Sequence, residues 1–229
     1  MENTLAQRYS NLQYKIAQSL AAINRQPESV CLIAVSKTFP AEDIQALYDL
    51  GQRHFGENYI QEWQEKVFRL PENIVWHIIG DIQSNKTRIV AENAHWVHTL
   101  NRDKIALRLS QQRPENQPPL QVCVEVNISE ETQKHGLPVR EVFDFCQYIK
   151  TLPRLNLRGL MCVPSDADEN IVQTQMQQMH RLFLQLNQRG ILLDTLSMGM
   201  SGDWQMALAN GATHIRIGSA LFGQRNYAR

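Results

Sequence analysis

The chain has 229 residues, with 23 basic and 23 acidic side chains, a formal net charge of zero and a hydrophobic content of 43%. That length allows one large domain or two small ones, and either way a full core. A balanced charge creates no field favouring a polyanion or an anionic membrane, so neither nucleic acid nor a membrane is an expected partner.

The N-terminal MENTLAQRYSNLQYKIAQSL interleaves charged and amide residues with Leu and Ile, so it lacks the basic and unbroken apolar regions of a signal peptide. Nowhere does an apolar run approach the ~18 residues of a membrane span. Cys31, Cys123, Cys146 and Cys162 form no CxxC pair and read as reduced, mostly buried thiols of a cytoplasmic protein. Residues 4 to 24 place Leu5, Tyr9, Leu12, Ile16, Leu20 and Ile23 at steps of three and four, which predicts an amphipathic helix covering one end of the core.

VCLIAVS (30 to 36) follows as a short β-branched run before a Pro40 helix start, and reads as a buried strand. Seven further short apolar segments lie near 53 to 56, 75 to 79, 96 to 99, 121 to 127, 157 to 162, 194 to 198 and 213 to 217. Helical patterns fill the intervals, several opened by cap residues such as Asn58, Ser84 and Asp203. Strict alternation predicts a parallel sheet, and eight units are the count of a closed (β/α)8 TIM barrel with an extra N-terminal helix. RPENQPP (113 to 119) reads as a loop inside that series, and QTQMQQMH (173 to 180) as a solvated helix face with Met176 and Met179 turned inward.

Active sites of such barrels lie at the C-terminal ends of the strands. There the sequence offers Ser36 and Lys37 after the first strand, Glu57 and Asn58 after the second and His77 in the third, then MGMSGD (198 to 203) after the seventh and Arg216, Gly218 and Ser219 along the eighth. Loops after the seventh and eighth strands often bind phosphate; here Gly199, Gly202 and Gly218 permit close backbone approach, and Ser201 and Ser219 add hydroxyls. Ordinary turns with serine caps satisfy the same spacing. Barrel closure sets Lys37 beside this pair of loops, as either a partly desolvated amine able to form a Schiff base or a lysine snorkelling at the rim. His214 and Arg216 alternate with Ile215 and Ile217, so they share one face, where Arg216 meets a ligand or a structural ion-pair partner. His77 equally fits a hydrogen-bonded core position.

AVSKTFP (34 to 40), FGENYIQE (55 to 62), WHIIGDIQSNK (76 to 86), VNISEETQKHG (126 to 136), LRGLMCVP (157 to 164), SMGMSGDWQMALANG (197 to 211) and IRIGSALFG (215 to 223) together resemble the YggS/PROSC family of pyridoxal phosphate homeostasis proteins, in the family's order and over essentially the whole chain. The resemblance implies one alanine racemase N-terminal-like barrel over residues 1–229, of fold type III, with pyridoxal 5′-phosphate joined to Lys37. It implies phosphate contacts from Ser201, Gly218 and Ser219, Asn58 and His77 near the cofactor with Met200 also among the residues that bind it, and Arg216 at the pyridine nitrogen, where a cation weakens the electron sink. Departures are Ile79 and Ile82 for Phe and Leu, Asp81 close to the mouth, and Trp204 for a smaller residue.

The expected role is a monomeric, non-catalytic carrier that supplies the cofactor to apo-enzymes. A racemase would require a second base on the opposite face, for which no further domain follows the final helix. The third reading is a phospho-sugar aldolase or isomerase barrel using Lys37 or Glu57.

Overall fold

A computed structural model describes residues 4–131, 133–165 and 168–223. The first helix, α1 (Leu5–Ala22), starts at a capping box: the Thr4 hydroxyl accepts from the Gln7 N–H while the Gln7 side chain accepts from the Thr4 N–H. Eight strands follow among the described residues: β1 (Cys31–Val35), β2 (His54–Glu57), β3 (Val75–Ile78), β4 (Trp96–Leu100), β5 (Leu120–Glu125), β6 (Leu155–Met161), β7 (Thr195–Ser197) and β8 (His214–Ile217). Each pairs in parallel with the next, and β8 pairs with β1, from Cys31 opposite His214 to Ala34 opposite Ile217, closing the barrel as the alternation predicts.

The outer ring consists of α2 (Ala41–Asp49), α3 (Ile60–Val67), α4 (Thr87–Asn93), α5 (Asp103–Gln112), α6 (Val142–Thr151), α7 (Glu169–Gln188), α8 (Trp204–Ala209) and a single-turn α9 (Ser219–Phe222). Helix α1 does not cover an end of the core. It packs on α2, α8 and α9 at the β8/β1 seam, where the short α9 leaves the ring incomplete. Arg8 fastens it there by donating to the Leu221 and Phe222 carbonyls. Among the described residues, no helix is long and apolar enough to cross a membrane.

Side-chain alternation divides the interior in two. Ala34, Phe55, Ile78, Val97, Val122, Val124, Leu160, Leu196, Ile215 and Ile217 face outward into the main core beneath the helices, with Met176 and Met179 of α7 fully buried against them as expected. The alternate positions face the bore, where Trp96, Cys123 and Met161 form a separate small cluster. Above and beside that cluster the bore is polar. His77, His98, Ser197 and Arg216 are buried there, whereas Glu57, also buried, lies on the outward side of β2 with Phe55. All four cysteines are free thiols, three of them buried.

Candidate functional site

Lys37 sits half-buried in a tight turn after β1, closed by the Phe39 N–H donating to the Ser36 carbonyl at 3.1 Å. The alternation that sends Ile33 and Val35 to the bore side continues one step to Lys37. A buried ionic group grips both neighbours of the lysine. Ser36 donates to Glu57 Oε1 at 2.8 Å, the Lys66 ammonium donates to the Ser36 carbonyl at 3.1 Å and to Glu57 Oε1 at 2.9 Å, and Glu62 accepts from both Lys66 and the Thr38 N–H. Thr38 holds φ +68°, a left-handed conformation unusual for a side chain of its type. Burial pushes the Glu57 carboxyl up from the usual range, and the adjacent Lys66 opposes that rise. Glu57 is thus fully buried and committed to Lys66 and Ser36, which removes it as a general base.

Beside this turn lie the loops after β7 and β8. Phe39 stacks on Phe222 at 4.6 Å, which ties the Lys37 turn to α9, and the Arg216 N–H donates to the Gly199 carbonyl, which ties β8 to the β7 loop. The Asp203 carboxylate accepts from the Met200 N–H, and Ser201 Oγ accepts from the Ala220 N–H at 3.4 Å. Among the described residues, no hydrogen bond within the protein uses the backbone N–H of Ser201, Gly202, Gly218 or Ser219. Open donors on two touching loops suit an anion, and at exposed turns and helix starts such groups are otherwise served by water. Gly199 has a structural role instead: its φ is +99°, and a Cβ there would lie 2.6 Å from that of Ala207. Beside these loops, Lys134, Pro164, Met200, Gly202, Asp203 and Met206 line a cavity of about 820 Å³.

Asn58 is not the helix cap the sequence suggests, since Tyr59 takes that position. Its Oδ1 is instead buried without a hydrogen-bond partner. A buried, unpaired amide oxygen costs free energy, and a ligand group can recover it. Its backbone is pressed against Gly80, where a Cβ would come within 2.2 Å of the Asn58 carbonyl oxygen. Only glycine fits there. Asp81, the added charge near β3, is taken up at the surface by Arg102 at 2.6 Å.

Arg216 turns into the bore with His214, and the isoleucines turn outward, as the alternation requires. It makes no ion pair among the described residues, donating instead to Ser197 Oγ at 2.7 Å and to the Cys162 carbonyl at 2.9 Å. The hydrogen bonds continue down the bore: Ser197 to His98 Nδ1, His98 Nε2 to His77 Nδ1, and His77 Nε2 to His54 Nδ1, each 2.9 Å. Burial and the neighbouring imidazoles hold His77 and His98 neutral, well below the usual histidine range. His77 is therefore the hydrogen-bonded core histidine, with both ring nitrogens committed. The chain His54–His77–His98–Ser197 was invisible in the sequence apart from His77, because three of its members meet only through the pairing of β2, β3 and β4 and the fourth, Ser197 of β7, only when the barrel closes.

The family model for the N-terminal domain of alanine racemase matches residues 10–226. A Vibrio cholerae protein named pyridoxal phosphate homeostasis protein is 46% identical, the match covering 99% of this chain and 98% of that one. The Escherichia coli protein of that name is 43% identical with 99% of each covered. Among solved structures, PipY of Synechococcus elongatus with PLP bound has a TM-score of 0.78 and 36% identity, covering 91% of this chain and all of that one. An alanine racemase of Clostridium difficile shares the fold alone, with a TM-score of 0.74 at 12% identity over 95% of this chain and 57% of the racemase.

Proposed function

The chain belongs to the alanine racemase N-terminal domain family, and within it to the pyridoxal phosphate homeostasis proteins; from that premise we propose that residues 1–229 form one barrel that holds pyridoxal 5′-phosphate on Lys37 and buffers and delivers it without turning a substrate over. The observation that carries the reading is the set of open backbone donors at Ser201, Gly202, Gly218 and Ser219, facing the turn that presents a lysine. When bound, the group supplies an aldehyde for a Schiff base with a lysine and an electron-withdrawing ring.

In this reading the four N–H groups and the Ser201 and Ser219 hydroxyls hold the phosphate, and Met200 forms the rim. Asn58 spends its unpaired amide oxygen on the ligand. Arg216, fixed by Ser197 and the Cys162 carbonyl, faces the ring nitrogen and keeps it unprotonated, which favours storage over catalysis. His77 supports this arrangement from below, through His98 and Ser197. The barrel works as a monomer in the cytoplasm, where its four thiols stay reduced, and its partners are the apo-enzymes that require the cofactor.

The test is to incubate the full chain with pyridoxal phosphate, follow the visible band, lock the adduct with borohydride and locate it by peptide mass spectrometry. An adduct on Lys37 that disappears in Lys37→Ala is expected. No band, or an adduct on Lys86 or Lys134, overturns the reading. Exchange of the α-proton of L-alanine in deuterated water is expected to be absent; rapid exchange would favour a racemase instead.

A further inference from the structure

At the end of the barrel opposite the Lys37 turn, three first or early strand residues converge in the bore. They are Cys31, opening β1, His54, opening β2, and His77 in β3. The thiol sulfur and one nitrogen of each imidazole all lie within 4.8 Å of one another. Cys31 and His54 are part-exposed, so this end is open to small solutes, whereas His77 is fully buried.

We propose that Cys31, His54 and His77 form a binding site for a borderline-soft divalent transition ion of the zinc or cobalt class. One sulfur and two imidazole nitrogens are the donor set such ions prefer over oxygen-seeking magnesium or calcium. In a tetrahedral site with metal distances of about 2.3 Å to sulfur and about 2.0–2.1 Å to nitrogen, the donors stand roughly 3.4–3.6 Å apart. His54 Nδ1 and His77 Nε2 stand 2.9 Å apart and the donors of all three residues lie within 4.8 Å of one another, so side-chain rotations bring them to that spacing.

His77 Nδ1 is hydrogen-bonded to His98 and its Nε2 to His54 Nδ1; the ion takes the place of this second hydrogen bond, between the two nitrogens. Each imidazole then carries its single proton on the nitrogen turned away from the metal, and one proton, from the Cys31 thiol, passes to solvent. A fourth position is left to water. His77 also anchors an outer partner that metal sites use to orient a ligating histidine, since its other nitrogen is hydrogen-bonded to His98. The same hydrogen bonds run on to Ser197 and Arg216.

Cobalt(II) is the probe, added to the full chain and followed through its visible ligand-field bands and the near-ultraviolet thiolate-to-metal band. One cobalt per chain is expected, displaced by zinc, with the thiolate band lost in Cys31→Ser and affinity at least about 100-fold weaker in His54→Gln, more than an outer-shell change typically costs. Cys146→Ser, which alters a thiol in α6 on the outer ring, is expected to leave both bands in place. The proposal is overturned if cobalt gives no bands, if they survive in Cys31→Ser, or if His54→Gln binds with unchanged affinity. Either variant alone decides the matter should the other fail to fold.

Discussion

Replacing Lys66 by Met removes the ammonium that serves Glu57, Glu62 and the Ser36 carbonyl at once. The Glu57 side chain has no exposed surface and that of Lys66 only 8%, so the change leaves a carboxylate buried without its counter-ion. Breaking such a pair from one side costs about 3–5 kcal/mol. Glu57 Oε2 already lacks a partner, so no reserve contact absorbs the loss. The carboxyl escapes by taking up a proton, and this fixes the sign of the pH dependence. Burial raises its folded-state pKa above the usual carboxylate range even with Lys66 present, and the charge and hydrogen bond of Lys66 that oppose the rise vanish in the variant. A group raised in the folded state supports folding below its unfolded value and loses that support as pH climbs through the folded value. The stability gap between wild type and Lys66→Met should therefore widen from pH 5 to pH 8. Urea unfolding at both pH values measures it, and Lys66→Met/Glu57→Gln should recover much of the loss and flatten the pH response. A gap below about 1 kcal/mol at pH 8, the range of an exposed pair, or an equal gap at both pH values, would refute the account of a buried, paired Glu57. Because the same groups hold Ser36 and Thr38, the variant should also weaken attachment of pyridoxal phosphate at Lys37.

Asn58→Ala removes an amide oxygen that the folded chain leaves unpaired, so thermal stability should change by less than about 1 kcal/mol while cofactor affinity falls; a large drop in melting temperature would show that the side chain holds the fold. Gly80→Ala forces a methyl to within 2.2 Å of the Asn58 carbonyl oxygen. It should cost about 1–3 kcal/mol or more in denaturant unfolding and displace Asn58, and unchanged stability together with unchanged cofactor binding would contradict that contact.

Hydrophobic period and turn chemistry were enough to place eight strands and their helices, because a parallel barrel buries each strand on both sides and writes it as a short apolar run. Lys37, Ser201, Gly218, Ser219 and Arg216 were legible for a related reason: in an alternating chain the polar residues just past each apolar run fall at one end of the barrel. The Ile215–Ile217 alternation likewise fixed which way Arg216 turns.

What those residues touch was a matter of closure. Nothing local marks Glu57 as a buried partner of Lys66, because the two meet only when α3 folds back over the end of β2, and a carboxylate at a strand end reads as a catalytic base. Asn58 looks like a cap in the sequence because the helix start is uncertain by a residue; the fold makes it a buried orphan. The place of α1 depended on the shortness of α9, which opens a slot at the seam. His54, His77 and His98 come from three adjacent strands and Ser197 from β7, so the line's last step to Ser197 exists only in the closed barrel, while the Cys31–His54–His77 cluster at its far end needs the pairing of β1, β2 and β3. Sequence periodicity sets which side of its own strand a residue takes, and only the barrel's curvature and stagger decide which residues from other strands it meets there.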